Sequence, residues 1–341
     1  MFKMDAAYAF LSLVMLVLVY FYNEHYHKER QGMAALFRGA FFQINRILQV
    51  FLQNARRSVS RDPWRPSVIC VSGTLLSKSK ALEMVSWISH RYGFGTYIYL
   101  KKGYYSRANK EESEQILQHM IKKSKALKSK VYFQTLVSPS YTTAIAQVIQ
   151  LPGISGMPNN MFLFEFDKEK KESIKPIADN FNLVKAGDFD ICVFGYNSRR
   201  IHYEGGIQIW IKSTDIENSG LMIMLGFIIS AHPDWKKGPI SVFEICKKGE
   251  TEQTEEKLYR LIGEGQFPIS IQNIKIVTLE ENQVIREVIC ERAVDAGLTI
   301  LGFRAEKIKH DPESVFYGYE SIGDVLFVNS REEKSTETEY I

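Results

Sequence analysis

The stretch SGTLLSKSK, residues 72–80, carries residue types that can hold a phosphate. Gly73 permits a tight turn, Thr74, Ser77 and Ser79 offer hydroxyls, and Lys78 and Lys80 add positive charge. All lie where a strand is expected to pass into a helix, whose first N–H groups attract anions. The run has neither the G-x-x-x-x-G-K-[ST] spacing of a Walker A loop nor a G-x-G-x-x-G fingerprint. An ordinary turn with an N-cap serine is the plainer reading. An anion or nucleotide held by Gly73, Thr74, Ser77 and Lys78 is the alternative, and it is the one cofactor the sequence suggests.

Other chemistry-bearing residues read as structural. His25 and His27 with Glu24 and Glu29 are too loosely spaced for a metal site and read as a solvated cluster. His232, ahead of Pro233, Asp234 and Trp235, reads as a helix stop with a buried indole. The Lys-rich runs 120–130 and 168–175 read as solvated helix faces, since no nucleic-acid motif accompanies them. No Ser/His/Asp set, carboxylate pair or metal motif places an acid beside a base, so no enzyme, no catalytic residue, no metal and no nucleic-acid partner is expected.

The 341 residues exceed one average domain, and a net charge of +4 is weak. Much of that excess sits just after an uncharged run, Ala6 to Tyr22, which with Asn23 would make a helix roughly 27 Å long. Such a run suits a membrane span closed by the interfacial aromatics Tyr20, Phe21 and Tyr22. A signal peptide and a buried soluble helix are the competing readings, but no small-x-small cleavage site follows. Lys28, Arg30, Arg38, Arg46, Arg56, Arg57, Arg61 and Arg65 follow the run and only Lys3 precedes it. Positive flanks stay inside, so a single-pass protein with its N-terminus outside and its body in the cytoplasm is expected. Cys70, Cys192, Cys246 and Cys290 are widely spaced without a CxxC, which agrees with a reducing compartment.

Residues 1–27 are thus read as the span, and residues 28–66 as an amphipathic connecting helix and linker. In 33–53 the apolar residues Phe37, Phe41, Ile44, Leu48 and Phe51 recur on one helical face. That stripe suits the bilayer surface or a partner helix, or else packing on the chain's own body. After the breakers Pro63 and Pro66, apolar strands alternate with amphipathic helices, the pattern of an α/β fold with a mainly parallel sheet. Two halves are expected, 67–212 and 213–330, with 331–341 a disordered tail. GGIQIWIK (205–212) reads as a hairpin partner or edge strand. The run 218–232 is nearly free of charge but short for a span. It reads as a helix buried between layers or at a subunit interface, where Leu221, Met222, Met224 and Phe227 would supply the surface.

The order of these phrases resembles the C-terminal part of the cation–chloride cotransporters, within the amino acid–polyamine–organocation transporters. The resemblance runs from about residue 5 to residue 303. It rests on a last membrane helix and a connecting "scissor" helix, then DPWRPSVICVSGTLLSKSKAL, GLMIMLGFIISAHPDWKKGPISVFEI, EKLYRLIGEGQFPISIQNIKIVTL and AVDAGLTILGF. It implies two universal-stress-protein-like βαβ halves, a homodimer, and a role in regulating or assembling a symporter of Na/K/Cl type. The family's preceding transport helices are not in this sequence, and one helix cannot enclose an ion path. The resemblance therefore implies either a separated piece of such a transporter or an accessory subunit that docks onto a separately encoded multi-helix core, with the lipid bilayer as the other partner. Nucleotide-binding stress proteins carry a G-x-x-G run with a later G-[ST], and none follows LTILGF. A membrane-tethered, stress-protein-like nucleotide sensor stays open as the second reading.

Overall fold

Strands in this chain are built from β-branched and aromatic runs, and those at the sheet centre are apolar on both faces. The computed structural model describes residues 6–26, 32–55, 64–74, 79–126, 129–154, 158–212, 216–247, 271–280 and 283–332. It divides into two units, Met1–Asp62 and Pro63–Ile341.

The first unit holds helices α1 (Ala6–Tyr26) and α2 (Gly32–Ala55). Apolar side chains described in α1, such as Phe10, Leu13, Leu16 and Phe21, are exposed, as are Phe37, Phe41, Ile44, Leu48 and Phe51 of α2. The α2 stripe is therefore not spent on a core of its own unit. Among the described residues no helix is long and apolar enough to cross a membrane, so the fold does not show the expected span.

The second unit is a sheet of ten described strands with helices on both faces. The strands are β1 (Ser67–Ser72), β2 (Phe94–Lys102), β3 (Tyr132–Ser138), β4 (Met161–Asp167), β5 (Asp190–Tyr196), β6 (Ile207–Lys212), β7 (Ile240–Lys247), β8 (Ile274–Leu279), β9 (Leu298–Gly302) and β10 (Asp324–Asn329). Their order is β3-β2-β1-β4-β5-β10-β9-β6-β7-β8. Read from each edge inward, both halves follow one order, third-second-first-fourth-fifth. All the pairings are parallel except β5 with β10, which is antiparallel and joins the halves. The carboxyl ends of the two halves therefore lie at opposite ends of the sheet. Central β1 is buried at every position, whereas edge strands β3 and β8 are only partly buried.

One face carries α3 (Lys80–Ser89), α4 (Arg107–Ala126) and α7 (Ile216–Ser230), and the other carries α5 (Tyr141–Val148), α6 (Lys175–Ala186) and α8 (Ile285–Arg292) with the short α9 (Ala305–His310) and α10 (Pro312–Phe316). Helix α7 explains its own composition. It packs on β6 and β9 and against α3, so it is apolar nearly all round. Its Gly226 allows the approach, because a Cβ there would lie 2.6 Å from Ile209 Cδ1.

Several expectations are corrected. Strand β6 is interior, parallel to both β7 and β9, and it opens the second half, so the boundary falls before Ile207 and not after Lys212. Leu221 and Met222 lie wholly inside the chain's own core, which removes them from any subunit interface. Met224 and Phe227 are half-buried, and Phe227 stacks on Tyr92. The Lys-rich run 168–175 is not one helical face: a 3-10 turn, Lys171–Ile174, precedes α6, since Pro176 belongs in a first helical turn. Strand β8 begins at Ile274 after a 3-10 turn, Ile271–Asn273. The tail beyond 332 and the His25–His27 cluster lie outside the described side chains.

Candidate functional site

In a parallel sheet of this kind ligands bind beyond the carboxyl ends of the strands, where the order reverses. In the first half that crevice lies between β1 and β4, and the loop predicted to hold an anion leaves β1 there. Gly73 is exposed and Thr74 half-buried at the end of β1, while Ser77 and Lys78 lie outside the described residues. Helix α3 begins at Lys80. Ser79 caps it, its hydroxyl accepting from Leu82 N at 3.2 Å.

The anion position is already filled by Glu165 of β4. Its carboxyl accepts from the Ser72 hydroxyl and from the Ala81 N–H in the first turn of α3. Burial pushes this carboxyl above the usual carboxylate range, and these two donors pull it part of the way back. Its Oε2 is buried with no hydrogen-bond partner among the described residues. The crevice is closed further by Tyr97, whose hydroxyl donates to Thr74 O at 2.7 Å, and by Tyr141, which donates to Val71 O at 3.1 Å. The Thr74 N–H donates to Ser72 Oγ at 3.0 Å. A phosphate entering here would meet a resident carboxyl and donors already engaged. Sequence reasoning missed Glu165, although a charge set inside the apolar run MFLFEF was its visible signal.

A second polar cluster locks the halves together. Asp190 and Asp324 open β5 and β10 at equivalent positions and are both buried. Each caps the far end of the other strand: Arg331 N donates to Asp190 Oδ1 at 2.9 Å, and Asn197 N to Asp324 Oδ1 at 3.3 Å. Trp64 Nε1 also donates to Asp190, at 3.1 Å, tying the entry segment to this seam. Lys168, only 3% exposed, donates to Tyr319 O at 3.0 Å, to Ile322 O at 2.9 Å and to Gly323 O. Burial lowers its ammonium to about 8, against the pull of Asp324. Burial likewise raises the Asp324 carboxyl to about 6. Through these bonds both groups tie the loop before β10 to the ends of β4 and β5.

His232 sits where it was placed, capping a 3-10 turn, Pro233–Trp235, with the indole buried. Its ring meets His90 at 4.6 Å, and Trp87 Nε1 donates to Asp234 at 3.2 Å, joining α3 of one half to the end of α7. Among the described residues no group of His, Cys, Asp and Glu could hold a metal. Cys70, Cys192 and Cys246 are buried free thiols and Cys290 is half-buried.

The doubled strand order and the antiparallel seam define a tandem α/β fold of two mainly parallel halves. No protein-family model matches the chain. Among solved structures it is similar to the cytoplasmic domain of a prokaryotic cation chloride cotransporter, with TM-score 0.55 and 13% identity over 80% of this chain and 98% of that one. It is also similar to a putative universal stress protein from Pseudomonas aeruginosa UCBPP-PA14, with TM-score 0.50 and 14% identity over 77% of this chain and 92% of that one. At these identities the likeness is one of fold.

Proposed function

We propose that this chain is a membrane-anchored regulatory and dimerisation domain of a cation–chloride-cotransporter-like system, with a mechanical and non-enzymatic role. The observation that carries the reading is the fold likeness, which spans 98% of the cotransporter's cytoplasmic domain. The first unit supports it. Residues 6–22 form an uncharged helical run, and the apolar faces of α1 and α2 are exposed, so bilayer or protein must cover them. In this reading α1 is a single-pass anchor with its N-terminus outside. Helix α2 is the scissor helix, and Phe37, Phe41, Ile44, Leu48 and Phe51 contact a second copy or the membrane surface. The α/β body lies in the cytoplasm, and a multi-helix membrane core does the transport.

The nucleotide-sensor reading loses support at its predicted site, because Glu165 occupies the anion position beside Gly73 and Thr74. The test is fractionation of the full chain and of a chain lacking residues 1–27 by alkaline carbonate, with cross-linking of each. The reading expects the full chain to stay with membranes as a cross-linked dimer and the shortened chain to be released. Release of the full chain would refute the anchor.

A further inference from the structure

Among the described strands the sheet ends in two edges, β3 and β8, and they are not guarded alike. An edge strand recruits another strand unless a charge, a proline or a bulge stops it. Strand β8 carries Lys275 within it. Strand β3, YFQTLVS, holds no charge, no glycine and no proline, and its pairing with β2 runs without a bulge. Its outer backbone is also open. The Gly103 N–H donates to Ser138 O at 3.0 Å, so Ser138 and every second residue before it turn their amide groups toward β2. Phe133, Thr135 and Val137 therefore turn theirs outward, and among the described residues nothing donates to or accepts from them there.

This window has ends. Before it the Val131 N–H is taken by Ser129 Oγ at 3.3 Å, and after it Pro139 has no N–H. The outward residues are thus centred on Thr135, and the window is its own complement when a second copy runs antiparallel about a twofold axis there. Thr135 then faces itself, and Phe133 faces Val137 on both sides of the axis. Threonine pairs and aromatic–β-branched pairs both favour antiparallel strands. About six main-chain hydrogen bonds close. The same axis sets exposed Tyr132 beside Ser138 of the second copy, next to the loop that carries exposed Tyr104 and Tyr105.

Helix α4 packs over β3 and runs against it, so the axis also sets α4 antiparallel to its copy. Its first half bears Glu111, Glu112 and Glu114, and its end bears Lys122, Lys123 and Lys125. Among the described residues those three lysines make no ion pair. The acids hold surface pairs with Arg107, Lys101 and Lys110, of the kind worth little in water. The acidic half of each helix thereby meets the basic end of the other.

We propose that β3 is the contact through which two copies of the α/β body join into one continuous sheet. The inference rests on the dimer reading given above and assigns it a surface.

The test uses the full chain in mild detergent, its mass measured by light scattering. Thr135→Cys, Lys275→Cys and Thr135→Lys are made in a Cys290→Ser background, since the other native thiols are buried. Facing Thr135 positions lie about 5.5 Å apart between Cα atoms, within reach of a disulfide. A dimer is expected, joined by mild oxidation in Thr135→Cys and not in Lys275→Cys. Thr135→Lys should weaken the dimer about tenfold by setting two ammonium groups face to face, with an unchanged circular dichroism spectrum. If Thr135→Lys does not fold, the cross-link still decides. A dimer that Thr135→Cys does not join would overturn this contact and leave the dimer reading standing. A monomeric full chain would overturn both. Cross-linking of Thr135→Cys to a different protein in place of a second copy would overturn the self-paired edge.

Discussion

Replacing Lys168 by methionine tests whether the seam between the halves is held as described. The ammonium donates to three backbone carbonyls, those of Tyr319, Ile322 and Gly323, and is 3% exposed. Methionine keeps the length and apolar stem but strands the acceptors, each at a cost of about 1–3 kcal/mol. Against this, the substitution removes a buried charge. The fall of the lysine from 10.5 to about 8 corresponds to about 3 kcal/mol against the charged form. The net loss near pH 7 is therefore about 3 kcal/mol, a fall in Tm of about 5–10 °C for a unit of this size. The pH dependence is more diagnostic. Between about pH 8 and 10.5 the unfolded chain holds a proton on this lysine that the folded chain has released, so wild-type stability rises with pH. Below pH 8 both states are protonated and the contribution is flat. The methionine variant lacks the rise, so the gap between the two proteins should widen by about 3 kcal/mol from pH 7.5 to 10.5. Urea unfolding of both proteins across that range measures it. A gap that stays constant or narrows would refute the buried, carbonyl-bound lysine.

Other consequences follow from the same geometry. Asp324 titrates at about 6, so between about pH 4 and 6 the unfolded chain loses a proton that the folded chain keeps, and stability falls as pH rises. Asp324→Asn should flatten that fall in urea titrations from pH 4 to 7. Gly226→Leu should cost about 1–3 kcal/mol or more by forcing α7 off β6, read as a lowered thermal midpoint. Met222→Ala should cost about 2–5 kcal/mol, the value of a core cavity and more than an interface residue would show in a monomer. Phe41→Glu with Phe51→Glu should leave the unfolding of the α/β body unchanged while reducing cross-linked dimer or membrane retention, because these side chains are exposed.

Much of the fold was legible because each strand is a short apolar run and each helix announces its buried side. The strands β1 to β5 and their crossovers could be placed on that ground alone. Strand β6 misled because Gln208 and Lys212 give IQIWIK the alternation of an edge strand. In the sheet interior both polar groups find carbonyls, Gln208 reaching Arg292 O at 3.3 Å and Lys212 reaching Gly302 O at 3.1 Å. Helix α7 was legible as buried but not as to what buries it, since apolar composition does not tell a neighbouring helix of the same chain from a second subunit. The place of the first-half crevice was legible from the loop after β1, but its occupant was not, because Glu165 matters only through the register that brings it to Ser72 and Ala81.

The central claim is that this chain regulates a membrane transport core, and co-purification tests it most directly. The full chain is isolated from native membranes in mild detergent, and the proteins that accompany it are identified and quantified. The account predicts a multi-helix transporter-core protein in a fixed ratio to a dimer of this chain. Recovery of self-dimers alone would contradict it.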